Sequence, residues 1–344
     1  MLIDRASLIN RDLDPSLPTY SKPRSYRKLI DGSNETIVTF LTILSASMVL
    51  FIFAFIVIKS LGVISANGIA LITSTGFDQQ IRNAYSAPQA ATAWQFGLFG
   101  LILGTLTTTL GALIIAVPTG IGTALVIAEL APVGIRYTLQ TVVRLLASIP
   151  SVIYGLAGLM VVVPFIQEAF ISSSMQIKYI DRFQLSGNSM LAGILVLSIM
   201  IVPIIITLSV DAINAVPFRY KEASLALGLS YWRTIVKVIL PAAKSGIFAG
   251  IILAMGRAIG EAIALAMVCG GIGNIPRVSD GMVALLTPVL TLASAIVNKS
   301  EMMSVKSIES ALFACGLILL ITSIIISLSA RLVEYLVIRR EGRA

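Results

Sequence analysis

Six residues in the second half of the chain, Gly256-Arg257-Ala258-Ile259-Gly260-Glu261, place two opposite charges four positions apart inside an otherwise apolar stretch. On a continuous helix that spacing puts Arg257 and Glu261 on one face. A guanidinium is always charged and binds tetrahedral oxyanions through two parallel hydrogen bonds. The pair therefore suits reversible anion binding: Glu261 holds Arg257 while the site is empty and releases it when an anion arrives. The plainer reading is a mutual ion pair that locks helix packing. Gly256 and Gly260 flank the pair and, lacking side chains, would let another helix approach closely.

A second constellation is mechanical. Between Pro217 and Pro241 lies a charged, helix-prone island: Glu222-Ala223-Ser224, three residues, Gly228, nine residues, then Val238-Ile239-Leu240-Pro241. Pro217 suits a helix start, and Glu222 near the positive end of that helix is favoured. Gly228 can take positive φ and stop the helix. Ser230 can cap a second helix presenting Trp232, Ile235, Val236 and Ile239 on one side, closed by Pro241. Such a compact pair fits a groove on a partner protein; an amphipathic helix lying on the lipid surface fits the same residues.

Other chemistry is missing. The chain has no histidine, which removes the commonest general base and metal ligand. There is no Gly-x-x-x-x-Gly-Lys phosphate loop, and no cofactor or metal site is expected. Cys269 and Cys315 sit in apolar blocks and read as small core hydrophobes. The formal charge of +8 raises nucleic acid as a partner, but the basic residues fall mostly in loops between apolar blocks, where they serve as orientation signals, so no nucleic acid is expected.

The elements that must position these residues are membrane spans. Of 344 residues 57% are hydrophobic and 12% charged, with mean hydropathy +0.94; about a quarter charged is usual for a soluble domain. Apolar blocks of about 20 residues span the hydrocarbon layer, and they predict an all-α polytopic protein with six spans near 36–58, 97–118, 142–165, 188–210, 246–268 and 310–332. Pro118, Gly120 and Gly122 are read as ending the second span, and Pro164 as ending the third. Residues 1–35 form an N-terminal tail, 211–243 the loop carrying the helical pair, and 336–344 a C-terminal tail. With both termini cytoplasmic, 17 of the 25 Lys and Arg residues fall in the inner segments 1–35, 119–144, 211–244 and 331–344, Arg331 among them, and seven in the outer segments 59–96, 166–187 and 269–309, with Arg257 inside a span; that bias supports the orientation. Residues 281–298 are uncharged but carry Pro288, and are read as an outer-face or re-entrant helix rather than a seventh crossing.

The spacing from Glu222 to Pro241 resembles the coupling-loop signature of permease subunits in ABC importers (Glu-Ala-Ala, three residues, Gly, nine residues, Ile-x-Leu-Pro), with Ser224 and Val238 as departures. The run Leu146-Ala147-Ser148-Ile149-Pro150-Ser151-Val152-Ile153-Tyr154-Gly155-Leu156-Ala157-Gly158-Leu159 is similar to the third-span signature of phosphate ABC permeases, and Gly256 to Ala262 to their fifth span. The Tyr154-Gly155 form is closer to the first (PstC type) of the two phosphate subunits. The resemblance covers about residues 95–335. It implies the type I ABC importer permease (MetI-like) fold in a prokaryotic cytoplasmic membrane, with Arg257 and Glu261 in the substrate pathway. Glu222, Ala223, Gly228, Leu240 and Pro241 would form the ATPase coupling loop, and Pro150, Gly155, Gly256 and Gly260 would serve helix packing. It further implies a second homologous permease, two ABC ATPase subunits that carry the ATP hydrolysis, an external phosphate-binding protein, inorganic phosphate as cargo, and surrounding lipid. Sulfate, molybdate or another solute remains open as cargo, and a stand-alone secondary transporter or a membrane scaffold remains open as class.

Overall fold

A computed structural model describes residues 24–86, 93–180 and 183–341. Among these the chain is helical, apart from one isolated parallel bridge between Gly270 and Val289. Six helices are long and apolar enough to cross a membrane: Thr36–Asn67, Phe99–Leu130, Ser151–Phe170, Met190–Asn214, Tyr231–Ile259 and Lys306–Tyr335. They are numbered here as membrane helices one to six.

The chain divides into two units, residues 1–55 and 56–344. In the first, residues 1–23 of the expected tail lie outside the described residues, and the rest of that tail is already helical, because the helix opens at Arg24 and runs to Asn67. Leu50 and Phe51 are exposed, as side chains facing lipid are. At the other end, the sixth helix continues to Glu341 through most of the expected C-terminal tail; residues 342–344 lie outside the described residues.

In the second unit the fourth membrane helix is central, with 61% of its 18-residue apolar stretch buried. It packs against the second and fifth helices. In lipid no hydrophobic force drives helices together, so close contact between small residues does that work. A side-chain carbon at Gly193 would come within 2.4 Å of Cys269 Sγ, and one at Gly250 within 2.9 Å of the Leu208 side chain. Cys269 and Cys315 are buried and unpaired.

Several span boundaries move, and proline is the reason. Three helices contain a widened π turn, at Val126–Leu130, Gly158–Val162 and Ile235–Ile239. Each ends two residues before a proline: Pro132, Pro164 and Pro241. Proline lacks an N–H, and its ring collides with the carbonyl four residues back; at Pro164 and Pro241 a wider turn relieves the collision and the helix continues, whereas before Pro132 the helix ends at Leu130 with Ala131 extended. Pro164 therefore does not end the third helix, which runs to Phe170. Nor does Pro241 close the second helix of the Pro217–Pro241 pair; Tyr231–Ile259 is continuous through it. Pro118 lies inside the Phe99–Leu125 helix, so the expected break at 118–122 is absent.

Pro150 is a true break. It biases Ile149 away from helical backbone and caps the helix beginning at Ser151. Residues 142–147 consequently belong to the preceding helix, Val133–Ala147. Residues 281–298 do not cross either: they form two short helices, Met282–Leu286 and Leu292–Lys299, with buried residues between them. The Leu292 N–H donates to Thr105 Oγ1 at 2.9 Å, pinning this segment to the second membrane helix.

Candidate functional site

The Leu240–Ile259 helix ends at Gly260, one residue before Glu261. That stop separates the two charges. Arg257 remains exposed on the helix. Glu261 is 8% exposed, and its Oε1 accepts the Ala264 N–H at 3.0 Å. It thereby satisfies an orphan donor in the first turn of the next helix, Ile263–Val268. The two charges thus share no helical face and form no ion pair, contrary to the reading of their spacing. Glycine is a poor helix former, and a carboxylate beside free N–H groups is worth more as a cap.

The flanking glycines differ from expectation too. Apart from its own helix, no described residue lies within 4 Å of a side-chain carbon built at Gly256, and at Gly260 only the preceding helical turn does. Neither has a neighbouring helix packed on it among the described residues. Gly155 does: a carbon there would meet Ala264 Cα at 2.8 Å and Met267 Sδ at 2.9 Å.

Gly256 opens instead onto a cleft of about 810 Å³ between the fourth, fifth and sixth membrane helices. Ile204, Ala249 and Leu253 form its apolar wall, and Arg257, Arg331, Ser327 and Glu334 supply its polar groups. Among the described residues neither guanidinium has an ion-pair partner. A charge at membrane depth is costly and characteristically lines a watered cavity or pathway. Two unpaired cations of fixed charge over an apolar wall attract an anion without enclosing it.

The Pro217–Pro241 pair has the local geometry its residues dictate. Phe218–Ala226 is a helix capped by Pro217. Gly228 has φ +81°; its N–H donates to Leu225 O at 3.0 Å and the Leu229 N–H to Ser224 O at 3.2 Å, the double bond of a Schellman stop. Ser230 caps the next helix by accepting the Arg233 N–H. Ser224 Oγ donates to Thr234 Oγ1 at 3.0 Å, tying the two helices together. The apolar face divides: Ile235 and Ile239 are buried, while Trp232, Val236 and Leu227 are exposed, Leu227 at 84%. Glu222 and Ala223 are exposed beside them. Leu240 and Pro241 are half-buried in the continuing helix.

One cluster has no signal in the sequence. Lys221 Nζ meets Glu129 Oε2 at 2.6 Å, Tyr231 Oη donates to the same carboxylate oxygen at 2.9 Å, and the ammonium lies 4.8 Å from the Tyr231 ring centroid. The helical pair is thus strapped to the end of the second membrane helix across 92 and 102 positions of chain. Burial would lower the Lys221 ammonium, but its hydrogen bonds to Glu129 and Tyr231 and their charges outweigh it and hold its pKa above the ordinary 10.5. The folded value lies above the unfolded one, so the stabilisation is complete below about 10.5 and is lost only as pH rises through the raised value. The strap is therefore expected to hold across the neutral range. Lys221→Met removes a hydrogen bond between charged groups, worth about 1.5–3 kcal/mol. Limited proteolysis within 217–233 should then be about tenfold faster or more; an unchanged rate would show that the strap is not what orders the pair.

Residues 116–339 match the family described as binding-protein-dependent transport system inner membrane component. The chain is 38% identical over 256 residues to the phosphate transport system permease protein PstC of Pasteurella multocida, covering 72% of this chain and 78% of that protein. It is 37% identical to the probable ABC transporter permease protein YqgH of Bacillus subtilis, covering 72% and 74%. With the phosphate transport system permease protein PstC 1 of Mycobacterium tuberculosis it shares 33% identity, covering 80% and 84%. Among solved structures, a chain of a bacterial alginate ABC transporter in complex with alginate pentasaccharide-bound periplasmic protein superposes with TM-score 0.54 at 17% identity, covering 90% of this chain and 98% of that one. At that identity the likeness is one of fold.

Proposed function

The chain belongs to the family of binding-protein-dependent transport system inner membrane components and is an ABC importer permease, and from that premise we propose that its cargo is inorganic phosphate. The observation that carries this is the unpaired Arg257 lining an open cleft in a chain whose relatives include phosphate permeases. Guanidinium supplies the fork-shaped donor set that a tetrahedral oxyanion needs, and an open cleft lets the anion leave again. High selectivity belongs on an external phosphate-binding protein, because tight binding in the passage would slow release.

In this reading the chain forms half of the pathway, and a second, homologous permease forms the other half. Two ATPase subunits dock on the cytoplasmic side, one of them at residues 217–241 through Glu222, Ala223 and the exposed Leu227 and Trp232. ATP hydrolysis takes place on those subunits. Both termini of this chain are cytoplasmic. ATP-driven closure moves the helical pair, and the strap from Lys221 to Glu129 passes that movement to the second membrane helix.

The test is uptake of labelled phosphate by cells with and without the gene, with excess unlabelled phosphate, sulfate or molybdate as competitor. Gene-dependent uptake blocked by phosphate alone is the expected result. Uptake blocked equally by sulfate, or no gene-dependent phosphate uptake when all partners are produced, would remove the phosphate assignment and leave the family standing.

A further inference from the structure

We propose that Arg331 is a second anion-contacting residue of the passage, placed so that a tetrahedral oxyanion passes from one guanidinium to the next. This rests on the reading of the chain as a phosphate permease. Arg331 reads in the sequence as one of several positive charges near the C-terminus that orient the protein, yet its side chain lines the same cleft as Arg257. The fifth and sixth membrane helices are consecutive crossings and run in opposite directions. Arg257 lies near the C-terminal end of the fifth, and Arg331 near the C-terminal end of the sixth. The two charges are therefore staggered along the passage, with Arg331 nearer the cytoplasm on the proposed orientation.

The cleft wall supports a passage rather than a point site. On the fifth helix it extends from Ala249 to Arg257, about 12 Å at 1.5 Å per residue. On the sixth it extends from Ser327 to Glu334, about 10 Å. Neither arginine is neutralised by an ion pair among the described residues. Arg339 and Arg340 follow about two turns later, so the orientation signal does not depend on Arg331. Glu334, three residues beyond Arg331 in the same cleft, competes with the anion for that guanidinium. An anion reaching Arg331 is thereby held briefly and let go.

The experiment uses the assembled transporter, with its second permease and ATPase, and measures phosphate transport together with the yield of complex. Arg331→Gln is expected to lower the maximal rate about tenfold at normal yield and unchanged KM for the loaded binding protein. Arg331→Lys keeps the charge but loses the fork, and is expected to fall about threefold; a pure orientation signal would tolerate it fully. In Arg331→Cys, modification by an anionic thiol reagent should be slowed by inorganic phosphate, against a low background because Cys269 and Cys315 are buried. If Arg331→Gln fails to assemble, the lysine variant decides. Wild-type kinetics of Arg331→Lys, or labelling indifferent to phosphate, would overturn the proposal. That result beside an inactive Arg257→Gln leaves the phosphate reading intact, whereas absence of phosphate uptake by the unaltered chain removes both.

Discussion

Arg257→Gln is expected to reduce phosphate uptake about 100-fold or more while the complex assembles at its normal level. The change removes the fixed charge and the two-pronged donor but keeps a side chain of similar length and polarity. A charge-assisted contact to an oxyanion is about twice as strong as a neutral hydrogen bond, and a loss of about 2.7 kcal/mol from the barrier-limiting interaction is 100-fold in rate. Assembly should survive because Arg257 is exposed to the cleft and has no ion-pair partner among the described residues. Arg257→Lys should retain partial transport, since the charge remains and the fork does not. Normal uptake by the glutamine variant would show that the cleft is not on the path. Glu261 is expected to respond differently. Its carboxylate caps the Ile263–Val268 helix, so its removal should act through stability and yield rather than through the affinity of the passage.

On the proposed docking of an ATPase at residues 217–241, Gly228→Val is expected to uncouple the two. The residue has φ +81° and open space around it, so the obstacle is conformational and not steric crowding. A β-branched residue in that region is a genuine outlier, with a cost of about 1–3 kcal/mol. The chain avoids that cost by undoing the two hydrogen bonds that end the Phe218–Ala226 helix. Leu227, the most exposed large residue of the pair, then changes direction. Co-purification of the ATPase should fall about tenfold, and uptake with it. Gly228→Asn is the control, because asparagine tolerates left-handed backbone; it should keep most of both. Equal loss in the two variants, or none in either, would disconnect the backbone conformation at 228 from docking.

What could be read in the sequence was local. Gly228 and Ser230 announce a stop and a start within three residues, and both take the geometry their types prefer. Arg257 stands out because a charge in an apolar block needs a reason wherever the chain folds. Sequence and structure part where one local rule meets another. Pro164 and Pro241 have the look of stops, but a widened turn before each lets the helix continue. The spacing of Arg257 and Glu261 presumes an unbroken helix, and Gly260 breaks it. The rest was invisible because it is long-range. Glu129 and Lys221 carry no shared motif, and Arg331 joins Arg257 only when the fifth and sixth helices pack. As one of the C-terminal positive charges, Arg331 has a sufficient explanation in the orientation of the chain.

The π turn at Ile235–Ile239 has a consequence for phase. Successive residues of an α-helix are turned by about 100°, so a step of four overshoots a full turn by about 40°. The buried residues Ile235, Ile239, Ala243 and Ile247 follow one another by fours, and in a uniform α-helix that stripe would wander about 120° around the axis. The wide turn takes up part of the drift, and the extra residue it holds is an angular reserve. Relaxing that single turn to α geometry would rotate everything beyond it, Arg257 included, by about 100° and advance it about 1.5 Å relative to the residues before it. The fifth membrane helix is in this sense a shaft with a clutch near its N-terminal end.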